Sequence, residues 1–162
     1  MLTREKLNDT DWAVIRDTPH LVIIGISSTG GSPMDELLEH TAGMKSIVDA
    51  MNSTHPLVRE IAVGANIMQA QKSIQSWYRS HDQANRSPVM LQEKAIDSMK
   101  SAVDVLRAEG GPDDVLQYSD FVRSLAMRVA RAAREGDVLG IGGELVSAGE
   151  QKFLERLEAL TK

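Results

Sequence analysis

The sequence predicts an all-α fold: an up-down-up-down four-helix bundle with an extra N-terminal buried helix and a short C-terminal helix. Three observations carry that reading. Hydroxyl residues followed by proline recur as helix starts, at Thr18-Pro19, Ser32-Pro33 and Ser87-Pro88, where the proline's missing N–H costs nothing. Apolar residues between these signals recur at three and four positions, and no stretch alternates apolar with polar as an exposed strand does. Composition agrees: 42% of the 162 residues are apolar but only 4% aromatic, with eight Met, side chains that helices carry easily.

In chain order, the polar stretch 1–11 has no apolar leader, so the fold is expected to begin near Met1. Leu21 to Ile26 is the longest apolar run, far too short to span a bilayer, and the Thr18-Pro19 start before it marks a buried helix. Ser32 opens a helix from Pro33 to Met51 along the stripe Met34, Leu37, Leu38, Thr41, Met44, Ile47, Val48 and Met51. His55-Pro56 opens one continuous helix through Leu57, Ile61, Ala65, Met68 and Ile74 to Trp77 and Tyr78, with Gly64 inside it marking close helix contact. The next helix runs from Pro88 to Glu109 with Ala95, Ile96, Met99, Ala102, Val103 and Leu106 on one face and Gly110 as its stop. Pro112 starts another, striped by Val115, Tyr118, Val122, Leu125 and Val129 and ended by Gly136. A glycine-rich link leads to Ser147-Ala-Gly-Glu150, a capping box that opens a last helix through Phe153, Leu154, Leu157 and Leu160.

A chain of this length is expected to form one domain, 1–162. Within it the segments 32–81 and 87–136 read as two copies of a helical hairpin, since Met44-Lys45-Ser46 with Val48-Asp49 matches Met99-Lys100-Ser101 with Val103-Asp104 at a spacing of 55. Burial of Met44 and Met99 to similar depth is expected from that repeat.

The absence of Cys removes thiol nucleophiles, disulfides and Cys-ligated metal, and a cytoplasmic location fits. A net charge of −5, shared between both halves, argues against nucleic-acid binding, and no segment suits a membrane. Nucleophile elbows and P-loops are missing; Gly140-Ile-Gly142-Gly143 follows a helix rather than a strand and is no dinucleotide loop. Glu36 with His40, and Asp17 with His20, read as an ordinary surface pair and an incidental spacing rather than as metal ligands. No cofactor is expected.

Two resemblances bear on function. His81-Asp82 resembles the adjacent pair of HD-type metal-dependent phosphohydrolases, in which His55 and Asp120 would stand for the other two ligands; the residues that normally follow are replaced by Gln83-Ala84-Asn85-Arg86. The C-terminal run Glu135, Gly136, Leu139, Gly140, Gly142, Gly143, Val146, Ser147 and Glu150 resembles the signature of a family of small bacterial helical proteins without assigned activity. That likeness implies an all-helical fold and supplies no catalytic residues.

Since no acid, base, nucleophile and metal ligands converge by spacing, the expected function is a non-catalytic interaction or structural protein. The adjacent aromatics Trp77 and Tyr78 point to homodimerisation through the bundle flank. The alternative is a bundle that binds a small ligand, an anion among the candidates. Its site would combine Arg131 and Arg134, beside Arg128, with backbone N–H groups around Gly140, Gly142 and Gly143 and the helix start at Ser147. A purely structural turn anchored by Leu139, Ile141 and Val146 is the competing reading of the same glycines.

Overall fold

A computed structural model describes residues 1–29, 32–83, 86–135 and 148–160, without the side chains of 133–135. The described part is all-helical: α1 (Asp9–Ser27), α2 (Pro33–Asp49), α3 (Pro56–Ile61), α4 (Gly64–Ser80), α5 (Pro88–Glu109), α6 (Pro112–Glu135) and α7 (Ala148–Ala159). Two short 3-10 turns, Arg4–Lys6 and Ala50–Asn52, complete it, and no strand occurs among the described residues.

The N-terminal buried helix is the axis of the molecule. α1 packs against α2, α4, α5 and α6, and α2 lies along α6. Thr18-Pro19 does not start this helix, contrary to the expectation from sequence. α1 begins ten residues earlier, where the Asn8 side chain accepts the Asp11 amide, and it runs through Pro19. An interior proline removes one backbone donor and crowds the carbonyl four residues back, here Ile15. That carbonyl receives the hydroxyl of Tyr118 at 2.8 Å, and the Thr18 hydroxyl turns back to the Val14 carbonyl at 2.7 Å. Local chemistry that opens a helix elsewhere is here absorbed by tertiary contacts.

Ser32 and Ser87 do cap as expected, each accepting the amide three residues on, from Asp35 and Met90. The continuous helix expected after His55 is instead two, α3 and α4, broken where Val63 turns extended at φ −62 and ψ 129. Gly64 opens α4 at an exposed position where an added Cβ would meet nothing, so it marks no close helix contact. Ala65 and Met68 on that helix face solvent, and Ala70 with Ile74 are its buried residues.

The faces expected for α5 and α6 do form the core. Ala95, Ile96, Met99, Ala102, Val103 and Leu106 are buried, as are Tyr118, Val122, Leu125 and Val129. α7 adds Phe153, Leu154 and Leu157, and Arg156 reaches Glu93 of α5 with two hydrogen bonds of 2.6 and 2.8 Å. The similar burial of Met44 and Met99 expected from the repeat is not found: Met99 is fully buried, while Met44 is only half-buried against the same core.

α2 corrects the sequence reading most sharply. Its buried residues are Glu39, Gly43, Ser46 and Ile47, followed by Ala50. Of the expected apolar stripe Ile47 is buried and Leu38 and Met44 are half-buried, but the rest is outside: Met34 is 63% exposed, Leu37 60%, Val48 51% and Met51 53%. The small side of the helix goes inward because α1 comes very close. A Cβ on Gly43 would stand 2.5 Å from Cγ1 of Ile23.

Candidate functional site

Three places hold chemistry or surface that the fold alone does not require. The first is the outer face of α2. Met34, Leu37, Thr41, Met44, Val48 and Met51 are spaced three, four, three, four and three residues apart, the seam of a coiled coil. One hundred degrees per residue puts the members of this seam within α2, Met34 to Val48, about opposite the Gly43–Ser46 side that packs inward, and Met51 follows in the 3-10 turn Ala50–Asn52. All but Met44, which is half-buried, are exposed. At its ends are the acidic first turn, Asp35 and Glu36, and the Asp49–Arg128 ion pair at 2.9 Å, with Lys45 between them.

The second is a cleft of about 610 Å³ between α6 and α7. Arg123, Arg128 and Arg131 line one side, Gln151, Glu155 and Glu158 the other, over Met127 and Leu154. Arg123 is engaged by Asp120 at 2.7 Å and Arg128 by Asp49. Arg131 is exposed and has no ion-pair partner among the described residues. Of the anion site expected from sequence, Arg131 is thus found in a cleft beside α7; the side chain of Arg134, and Gly140, Gly142, Gly143 and Ser147 with their expected turn, lie outside the described residues.

The third is a set of buried ionisable groups. Glu39 of α2 and Glu150 of α7 are both buried, and the Oε2 atom of Glu39 has no hydrogen-bond partner among the described residues. Burial first, then the charges of Glu150, Asp35 and Glu36, push the Glu39 carboxyl up to about 7, against a lowering contribution from the Ser27 hydroxyl. On α1, burial, helped by the nearby positive charges of His40 and Arg16, brings His20 down to about 4. Arg16 pairs with its neighbour Asp17 at 2.7 Å, both almost inaccessible.

His55 donates from Nε2 to Oδ1 of Asp114, 2.8 Å away, and the same carboxylate receives the amides of Leu2 at 2.6 Å and Gly111 at 2.9 Å. Burial raises the Asp114 carboxyl, but the Leu2 and Gly111 amides together with His55 outweigh it and hold it below the ordinary range. The pair ties the N-terminal segment to the start of α6. At 2% exposure His55 is out of reach of a substrate proton.

The residues of the phosphohydrolase resemblance have separate partners. His81 stacks on Trp77 with ring centroids 4.4 Å apart and contacts the Trp77 carbonyl, His55 is taken by Asp114, and Asp120 by Arg123. Among the described residues no group of three or more His, Asp or Glu could hold a metal ion. His40 is exposed on α2 next to buried Glu39. Trp77 and Tyr78 are both half-buried and meet edge to face at 5.4 Å, with the Lys94 ammonium 4.9 Å from the Trp77 ring.

No family model, curated protein or solved structure matches the chain. Among the described residues no helix is long and apolar enough to cross a membrane.

Proposed function

We propose that this chain is a non-catalytic helical interaction protein whose docking face is the outer side of α2. The exposed seam of Met34, Leu37, Val48 and Met51 is the observation that carries the reading. Soluble monomers rarely leave several large apolar side chains contiguous and in water, and such patches mark association sites. Met is suited to this work because its unbranched, polarizable side chain adapts to a partner's contour. A cytoplasmic setting, membership among the small bacterial helical proteins that segment 135–150 resembles, and an up-down-up-down arrangement of α2, α4, α5 and α6 around α1 are parts of the same proposal. So is the duplication of 32–81 in 87–136, which the matching Ser caps of α2 and α5 favour.

The test is the double substitution Leu37→Glu and Val48→Glu, examined in dilute solution with a hydrophobic fluorescent dye and by thermal unfolding. Dye binding should fall while stability changes by no more than about 0.5 kcal/mol, the ordinary range for surface positions. A large loss of stability would mean that the seam is part of the core and would end the proposal.

A second reading rests on the α6–α7 cleft, which Arg131 lines among described residues of mixed polarity. It is the binding of a small anion. Titration with pyrophosphate, followed by calorimetry, should give heat that Arg131→Ala abolishes; no heat with the parent protein would dismiss it.

A further inference from the structure

The partner of the α2 face can be deduced from the face itself. The seam is palindromic. Read from either end, the spacing of Met34, Leu37, Thr41, Met44, Val48 and Met51 is three, four, three, four, three, and its midpoint falls between Ala42 and Gly43. A second α2, with the 3-10 turn after it, laid antiparallel across a twofold axis at that midpoint would place Leu37 against the partner's Val48, Thr41 against the partner's Met44, and Met34 against the partner's Met51 on that turn. Every seam position then has an occupant, which is the requirement of an isologous interface. We propose that the occupant is a second copy of this chain, paired through α2 in that antiparallel register; the inference rests on the docking-face reading given above.

The helix dipole selects the direction. α2 is acidic in its first turn, at Asp35 and Glu36, and its second half carries Lys45 and Asp49, the latter paired with Arg128. Antiparallel pairing matches opposite helix-dipole ends and lays each acidic turn beside the partner's Asp49–Arg128 ion pair. Parallel pairing would oppose like with like. Area is sufficient: the four most exposed seam residues leave on the order of 400 Å² of apolar surface per chain, so two chains, with Thr41, Met44 and the flanking stems, reach roughly the 1,000 Å² at which specific interfaces begin. The seam is about 25 Å long at 1.5 Å per residue, enough for two full heptads.

Because the chain has no Cys, engineered thiols report the register directly. Full-length protein carrying Met34→Cys is mixed with protein carrying Met51→Cys under mild oxidation, and sedimentation equilibrium is run on the parent and on the Leu37→Glu/Val48→Glu variant. We expect a concentration-dependent dimer for the parent, a monomer for the variant, and covalent dimer from the mixed thiols but from neither thiol variant alone. Covalent dimer within the separate samples would overturn the antiparallel register. A parent that stays monomeric at every concentration would overturn self-pairing. Dye binding by the dilute parent then separates the two levels: if it depends on Leu37 and Val48, the face survives and only the second-copy partner is lost, and if it does not, both fall together.

Discussion

The Tyr118 hydroxyl donates to the Ile15 carbonyl, the acceptor that Pro19 leaves without its helical N–H. Both partners are fully buried, so neither has water as a substitute. α6 thereby completes a hydrogen bond that α1 cannot make for itself.

Tyr118→Phe should accordingly destabilise the fold by about 1–3 kcal/mol, the cost of stranding a buried carbonyl. Pro19→Ala restores the backbone donor, so the Tyr118→Phe penalty should shrink by roughly 1 kcal/mol in that background. Urea unfolding of the four proteins in the cycle measures the coupling. Strict additivity would show that the hydroxyl serves some other acceptor.

The contact of α1 with α2 gives the next expectation. Gly43 faces Cγ1, Cδ1 and Cγ2 of Ile23 at 2.5, 2.7 and 2.9 Å from the position of an added Cβ. Ile23 is buried and β-branched, so it has little freedom to withdraw. Gly43→Ala should cost on the order of 1–3 kcal/mol despite the better helix propensity of Ala, and Ile23→Ala should recover part of that loss. Thermal melts of the single and double variants decide the matter; a stabilised Gly43→Ala would show that the helices can separate at no cost.

Two buried groups pull stability in opposite directions with pH. His20, at about 4 in the fold against 6.5 unfolded, stays neutral while the unfolded chain takes up a proton, so its contribution is lost as pH falls from 6.5 to 4. Glu39, at about 7 against 4.5, keeps its proton in the fold while the unfolded chain has released it. Its contribution is present below 4.5 and lost as pH rises through 7. Glu39→Gln should therefore stabilise the protein by roughly 1–3 kcal/mol at pH 8 and by little at pH 4. Urea melts at the two pH values check this, and an equal gain at both would refute the protonated state of Glu39.

What the sequence disclosed and withheld follows from the range of the forces concerned. The α5 and α6 faces were legible because Ala95, Met99, Val103 and Tyr118, Val122, Leu125 form helical stripes whose interior destination has no rival. In α2 periodicity named a stripe but not which side it took. The decision belongs to Gly43, Ser46 and Ala50, whose small side chains admit neighbouring helices. Thr18-Pro19 has the local chemistry of a helix start; only Tyr118, a hundred residues away, makes it a helix interior. The break before α4 has no turn residue ahead of Gly64 to announce it. Helical spacing sets Arg131 on the same side as Arg128 in the α6–α7 cleft, whereas the Glu39–Glu150 approach joins two helices that no sequence pattern relates.

The exposed and buried methionines provide the most direct measurement of the α2 face. Peroxide oxidation followed by peptide mass spectrometry should find Met34 and Met51 reactive in dilute protein and progressively protected as concentration rises. Met68, 57% exposed on α4, should stay reactive throughout, and Met99, 1% exposed, inert throughout. Oxidation of Met34 and Met51 at rates that do not vary with concentration, in step with Met68, would contradict association through α2.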